Sequence, residues 1–456
     1  MNLTTRILDV LAPAVFDPMD RWRRGDRSAS LVKEVERALA LPADRSGNYQ
    51  LARLRAVADH AKRHTRFYGE RFAEAGIDRP AEMEWSDLAR LPFLTREEMR
   101  AQGEELASSA FPISVCVASA TGGTTSSPVR FLLDPDSYWR RWAAVQAFDR
   151  WLGYRPGLRV AYLWGARQDW PAPSGWKQRL RSVMVTRTRY YPSALLDDAV
   201  FESYARDLAA FRPRLFQAYP TPLALFSEFL LRRGLRPEVG AVSCTAEPLL
   251  APQRDTIRAA FGRDPVNWYG ARECGRIAME CERHDGLHVN VFGLHVEVLP
   301  LPGMVDPGLG EVVVTDLWNL AFPLIRYRTG DLARFDPSPC ACGRPTPRLR
   351  DIVGRTADVF VNSRGQRVPG VALPSRLVAE GSRVRAMQIL QHDAKRFEVL
   401  VVPGAQYDGG VEEWLRERLA SYMNDEIELS LRIVESIPLE PSGKARFAKN
   451  LMPHSS

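Results

Sequence analysis

The sequence predicts an α/β protein: a large N-terminal domain of layered α/β subdomains plus a β-rich layer, residues 1–353, and a small α+β C-terminal domain, residues 354–456. Three observations carry this. Between residues 159 and 270, short apolar runs alternate with amphipathic stretches, as strand and helix do around a parallel sheet. From residue 294 to 336 the chain turns β-rich, with glycine and proline turns. After residues 351–358, a polar stretch of linker character, comes a compact strand and helix pattern of ordinary domain size.

Taken in order, residues 1–45 read as helical with interruptions at Pro13, Pro18 and Pro42, because proline lacks a backbone donor. Residues 50–80 carry one long amphipathic pattern that ends near Gly76. Thr95 and Glu98 have capping-box spacing, so a helix starts there. Residues 137–153 read as helix and 159–165 as a buried strand. Helices follow at 195–211, 221–234 and 252–262, with strands at 215–220, 239–246 and 265–270. The β-rich part holds strands at 294–301, 310–317 and 332–336. In the C-terminal domain, strands fall at 357–363, 387–392, 396–404 and 429–436, with helices at 374–381 and 411–424.

The chain has 456 residues, of which 45% are hydrophobic and 26% charged, the balance of a globular protein rather than a disordered one. No run approaches the ~20 apolar residues that span a bilayer, and the N-terminus does not read as a secretory signal. A soluble cytoplasmic protein is expected. The net charge of +7 is spread along the chain without an aromatic-interleaved basic patch, so an anionic small substrate is expected rather than nucleic acid. The six cysteines are too few for a disulfide framework in a chain this long. Four of them, Cys274, Cys281, Cys340 and Cys342, fall within residues 274–342. Cys281, Cys340 and Cys342 with one histidine, His284 or His288, make a Cys₃His set that suits tetrahedral zinc.

Residues 119–130, SATGGTTSSPVR, form a small, hydroxylated stretch between apolar flanks. Gly122 and Gly123 free the backbone, and Thr121, Thr124 and Thr125 offer hydroxyls, so the loop suits a phosphate cradle and equally a solvated hairpin. It lacks Walker spacing and has no lysine nearby.

Five stretches, in order, resemble the motifs of the adenylate-forming superfamily of acyl-CoA synthetases, adenylation domains and luciferases. The first is the 119–130 loop, similar to S/T-S-G-T-T-G-K-P. The second is residues 243–249, SCTAEPL. The third is 267–273, NWYGARE, similar to Y-G-x-T/S-E. The fourth is 327–331, YRTGD, followed by Gly354 and Arg355, and the fifth is 441–446, PSGKAR. Phe67, Tyr68 and the stretch 91–96 resemble the phenylacetate–CoA ligase branch.

The resemblance implies attack of a carboxylate on the α-phosphate of ATP, giving acyl-adenylate and pyrophosphate, then transfer to CoA. Such a reaction is governed by positioning and charge neutralisation. Thr121, Gly122, Gly123, Thr124 and Thr125 are expected to hold phosphates. Ala246, Glu247, Pro248, Asn267, Trp268, Tyr269 and Gly270 should enclose the AMP moiety, with Tyr269 packed on adenine. Asp331, supported by Arg355, should take the ribose hydroxyls. Glu273 should ligate Mg²⁺, a hard cation. Lys444, one of six lysines, should bridge carboxylate and α-phosphate from a mobile C-terminal domain that swings between half-reactions. For zinc the resemblance favours His288 over His284, in a structural site with Cys281, Cys340 and Cys342; Cys244 and Cys274 read as packing residues.

The chain departs from the family pattern where Ser126 and Ser127 replace loop glycine and lysine, and where Ala357, followed by Asp358, stands at the hinge. The acyl pocket is expected around Trp164, Tyr219 and Ala271, within residues 163–171 and 217–221 and beyond Tyr269, and suits an aromatic acid. Arg272 and Arg276 are candidates for a second polar group or CoA phosphates. The acceptor stays open between CoA, an amine, an alcohol and a carrier protein in secondary metabolism. A non-catalytic nucleotide-binding protein is the third reading, against which stand Lys444, Glu273 and Asp331. The expected partners are small molecules, with no nucleic acid and no membrane, and the expected state is a monomer or homodimer.

Overall fold

The computed structural model describes residues 3–120, 129–165, 176–193, 196–379, 383–438, 440 and 445–452. A two-stranded hairpin, β1 (Val117–Ala120) and β2 (Arg130–Leu133), precedes the main sheet. The main sheet has eleven strands. Five are parallel: β3 (Val160–Leu163), β4 (Thr188–Tyr191), β5 (Leu215–Ala218), β6 (Ala241–Thr245) and β7 (Val266–Ala271), in spatial order β4-β3-β5-β6-β7. β8 (Gly275–Glu280) pairs antiparallel with β7 and begins the second half. That half continues through β9 (Leu287–Val289), β10 (Leu294–Pro300), β11 (Gly310–Asp316), β12 (Tyr327–Asp336) and β13 (Arg348–Arg350), all antiparallel, in spatial order β8-β9-β13-β12-β11-β10.

The crossover helices are those the sequence marks. Asp134 accepts backbone hydrogen bonds from Asp136 and Ser137 and starts Pro135–Asp149. Asp197 caps Asp198–Phe211 through Val200, and Gly262 at φ +62° ends Ala251–Phe261. Thr95 and Glu98 form the capping box of Arg96–Ala101, with Thr95 N donating to Glu98 Oε2 at 2.8 Å.

Two expectations near the N-terminus change. Pro13 and Pro18 do not interrupt the helical run from residue 3 to 23: residues 12–16 form a wider π turn that absorbs the missing donors. Pro42 does interrupt, standing extended before Ala43–His64. The single amphipathic pattern of 50–80 is two helices, because Thr65 turns extended at φ −128° and its hydroxyl accepts from Tyr68 N to cap Arg66–Glu74.

One core lies between the N-terminal helices and the antiparallel half, around Phe72, Phe131, Phe148, Phe292 and Tyr327. Another fills the crossover helices of the parallel half, around Phe216, Phe226, Phe229 and Phe261. Beyond Gly354 come β14 (Val359–Val361) and β15 (Arg367–Pro369), paired with each other. A four-stranded sheet follows, order β18-β17-β16-β19, from β16 (Val384–Gln391), β17 (Arg396–Pro403), β18 (Glu428–Ile433) and β19 (Ala448–Asn450). Phe360, Met387, Phe397 and Leu415 build its own core. Leu250 joins Ala445 and Phe447 in a small apolar cluster where the two parts meet. Among the described residues no helix is long and apolar enough to cross a membrane.

Candidate functional site

In a parallel sheet, ligands collect at the carboxyl ends of the strands. Trp164 follows the last residue of β3, Tyr219 follows β5, and Ala246 and Glu247 follow β6. Trp164 and Tyr219 stack with ring centroids 5.9 Å apart. Tyr162 lies 5.4 Å from Tyr190 and 4.7 Å from Trp164, so four aromatic rings meet above one end of the sheet. Burial pushes the Tyr162 and Tyr190 phenols up, keeping both neutral donors. Ala271, the last residue of β7, does not line the cleft described below. Residues 166–171 of the expected pocket stretch lie outside the described residues.

β12 carries a bulge: Glu311 pairs with Leu332 and Val313 with Arg328, so Thr329, Gly330 and Asp331 stand opposite Val312. Gly330 takes φ +76°, the left-handed region a side chain resists. The bulge turns Asp331 toward β7, where Tyr269 Oη donates to Asp331 Oδ2 at 2.7 Å. Arg355 Nε lies 3.8 Å from Asp331 Oδ1. Burial raises the Asp331 carboxyl above the usual range, against the opposing pull of Arg355 and the Tyr269 hydroxyl. Gly270 sits where an added Cβ would meet Gly275 O at 2.5 Å, so the β7–β8 turn admits only glycine.

Glu273, expected to ligate Mg²⁺, is 2% exposed. Arg96 Nη2 reaches its Oε1 at 2.7 Å and Tyr327 Oη donates to the same oxygen at 2.9 Å. Both contacts fall on Oε1, and Glu273 is not among the residues that line the cleft described below. Arg141 holds the Glu273 carbonyl and Asp316 Oδ2, each at 2.6 Å, and fixes the backbone here. Arg272 is exposed and donates to Ala120 O at 3.2 Å, at the base of the 119–130 loop. Arg276 is not available to a ligand's second polar group: it is buried, bonded to Asp149 Oδ1 at 2.6 Å and stacked over Trp268.

A cleft of about 780 Å³ opens over these elements, within the size range of small-molecule sites. Ala246, Glu247, Pro248, Asn267, Trp268, Tyr269, Gly270, Asp331 and Arg355 all line it, and Glu440, Ala445, Arg446 and Phe447 face them from the C-terminal part. Ala246 holds φ +71°, a left-handed conformation that costs a non-glycine residue about 1–2 kcal/mol and aims Glu247 into the junction. Thr121, Gly122, Gly123, Thr124, Thr125 and Lys444, together with Ser126 and Ser127, lie outside the described residues. Asp358, beside the hinge position Ala357, is buried and bonded to Arg446, whose Nε lies 2.8 Å from its Oδ1.

Away from the cleft, Cys281, His288, Cys340 and Cys342 bring their ligand atoms within 4.8 Å of one another. Cys281 and Cys340 sulfurs are 3.8 Å apart, and Cys342 Sγ is 3.3 Å from His288 Nε2. Zinc–sulfur bonds of ~2.3 Å in a tetrahedron place two sulfurs ~3.8 Å apart, so the donor set fits the ion. His288 Nδ1 sits 2.8 Å from Thr346 Oγ1, which fixes the ring with Nε2 toward the sulfurs. Burial, with Arg344 and Arg348, lowers His288 to about 4, so the imidazole is neutral. His284 is elsewhere: its Nδ1 lies 3.0 Å from both Glu280 Oε2 and Arg254 Nη1, on the wall of the cleft. Cys244 and Cys274 are buried packing residues, with thiols pushed up by burial.

Sequence reasoning missed Arg96, Tyr327, Tyr162, Tyr190 and the Arg254–Glu280–His284 group. Arg96 lies in a stretch whose capping box masks any second role, and Tyr327 opens a motif whose aspartate draws the attention. Tyr162 and Tyr190 look like ordinary strand aromatics until the parallel register sets them side by side.

Residues 360–451 match the CapK C-terminal domain family. Over 444 residues the chain is 26% identical to phenylacetate-coenzyme A ligase of Thermus thermophilus, covering 89% of this chain and 94% of that one. It is 21% identical over 405 residues to protein CapK of Staphylococcus aureus, covering 88% of each. Its fold matches the crystal structure of 2-hydroxyisobutyryl-CoA ligase in the postadenylation state, with a TM-score of 0.73, 20% identity and 91% of each chain covered. Against the same ligase in its thioesterification state the TM-score is 0.58, at 21% identity and 91% of each chain. By these likenesses the chain is phenylacetate–CoA ligase-like: similar in sequence to those ligases over most of its length, and in fold to an acyl-CoA ligase.

Proposed function

We propose that the chain activates a carboxylic acid with ATP and passes the acyl group to CoA. A carboxylate oxygen attacks the α-phosphorus, the bond to the β-phosphate breaks, and pyrophosphate leaves. The CoA thiolate then attacks the acyl carbonyl and AMP departs. One observation carries this reading: nine residues of the nucleotide motifs line one cleft, and the segment that directly follows Lys444 closes over it. Asp331 and Arg355 hold the ribose, Tyr269 orients Asp331, and Lys444 stabilises charge between the two anions. Glu273 would hold Mg²⁺, which would supply charge neutralisation for the leaving pyrophosphate. Zinc bound by Cys281, His288, Cys340 and Cys342 is structural, pinning β9 and the 340–342 loop together. Residues 354–456 act as the mobile domain.

The substrate is an aromatic acid, on the support of Tyr162, Trp164, Tyr190 and Tyr219 grouped at the strand ends. A second reading keeps the adenylation and gives the acyl group to an amine, an alcohol or a carrier protein. Ala357 at the hinge, with Asp358 held by Arg446, is what favours it. Incubation with ATP and a panel of aromatic acids, with and without CoA, tests both: pyrophosphate release reports the first step, and a thioester seen by mass spectrometry reports CoA as acceptor. Pyrophosphate without thioester moves the conclusion to the second reading; no carboxylate-dependent pyrophosphate overturns both.

A further inference from the structure

Glu247 was expected only as part of the nucleotide's enclosure. Its two oxygens face two different parts of the chain. Oε2 accepts from Thr221 N at 3.1 Å, in the first turn of Pro220–Arg232. Oε1 accepts from Ala445 N at 2.6 Å. The side chain sits in a residue only 7% exposed, so both are charge-assisted bonds in a setting of low dielectric. Ala445 directly follows Lys444 in the sequence.

The next residues are held as well. Ala445 and Phe447 pack on Leu250, three residues after Glu247. The Arg446 carbonyl accepts from Gln388 Nε2, and its guanidinium binds Asp358. Gln388 and Asp358 belong to the same C-terminal part as Arg446, so those ties travel with it. The Glu247 bond is a charged tie from the nucleotide side.

We propose that Glu247 is a positioning residue for the adenylation half-reaction: by docking the Ala445 amide it holds residues 445–447, the segment that directly follows Lys444 in the chain, against the cleft, with no part in acyl transfer. This rests on the adenylation reading above. In the full chain, Glu247→Ala is expected to lower the maximal rate of carboxylate-dependent ATP–pyrophosphate exchange about 10²-fold, the scale set by ~1 Å of misplacement, while KM for ATP moves less than about threefold. Glu247→Gln keeps one acceptor oxygen and sets an amide NH₂ against the other donor, so it should fall between wild type and Glu247→Ala. Hydrogen–deuterium exchange of the peptide covering residues 445–452 should lose protection in Glu247→Ala while Tm stays near wild type. The rate of consuming chemically prepared acyl-adenylate with CoA should stay within about threefold of wild type. A raised KM for ATP at unchanged maximal exchange rate would make Glu247 a nucleotide contact and overturn the inference. Equal losses in both half-reactions, or unchanged protection of 445–452, would overturn it too. A wild type without carboxylate-dependent exchange overturns the adenylation reading itself, and the inference with it.

Discussion

Arg96 and Glu273 form an ion pair of 2.7 Å between the first turn of a helix and the loop that follows β7, 177 residues apart in the chain. Glu273 is almost fully buried while Arg96 keeps 28% of its side chain exposed, so the arginine neutralises a carboxylate that the fold has removed from water. Removing the arginine strands that charge. Arg96→Ala should destabilise the fold by about 3 kcal/mol, the usual scale for breaking a buried pair, measured as a shift of the denaturant midpoint at constant slope. Glu273→Gln leaves a neutral hydrogen-bonding group there and should cost far less stability, yet raise the Mg²⁺ concentration needed for half-maximal pyrophosphate release about 10-fold or more. An unchanged Mg²⁺ dependence would remove Glu273 from the cation site.

Asp331 should impose a pH limb on nucleotide use. Its carboxyl is raised by burial, so the folded protein holds this proton more tightly than the unfolded chain does. Stability from this group is therefore present below ~3.9, the unfolded value, and declines as pH rises from there through the raised folded value. Ribose recognition runs the other way, since it uses the ionised form. kcat/KM for ATP should fall as pH drops through the raised pKa, and Asp331→Asn should abolish that limb and raise KM for ATP about 10-fold or more, with little loss of stability. A limb that persists in Asp331→Asn belongs to another group.

The cysteine cluster should bind one zinc per chain. Cys340→Ser and His288→Ala should each lose it by elemental analysis and lower Tm, because the ion ties residues far apart in sequence. His284→Ala should retain it, since His284 faces Glu280 and Arg254 instead. Zinc lost from His284→Ala and kept by His288→Ala would reverse the assignment.

The aromatic group at the strand ends should set acid specificity without touching ATP. Trp164→Ala removes a ring that stacks on Tyr219 and should raise KM for the best aromatic acid about 10-fold, while KM for ATP stays within about twofold. Equal changes in both would place Trp164 in the scaffold.

Much of this was legible in the sequence because it is local. Short apolar runs marked the strands of the parallel half, the capping box at Thr95 marked a helix start, and motif order named nine of the residues that line the cleft. What was hidden is non-local. The Arg96–Glu273 pair joins residues 177 apart. The stacking of Tyr162 on Tyr190 exists only because β3 and β4 lie side by side in one register. Spacing left His284 and His288 equal as ligands; the β9–β13 pairing decides between them by turning His288 toward the 340–342 loop. The prolines at 13 and 18 misled because a single wide turn absorbs them.

The central claim is that the segment carrying Lys444 completes an adenylating cleft. Carboxylate-dependent ATP–pyrophosphate exchange in wild type and Lys444→Ala tests it most directly. Wild type should exchange with at least one aromatic acid, and the variant should lose about 10²-fold or more, with Tm unchanged. Full exchange activity in Lys444→Ala would contradict it.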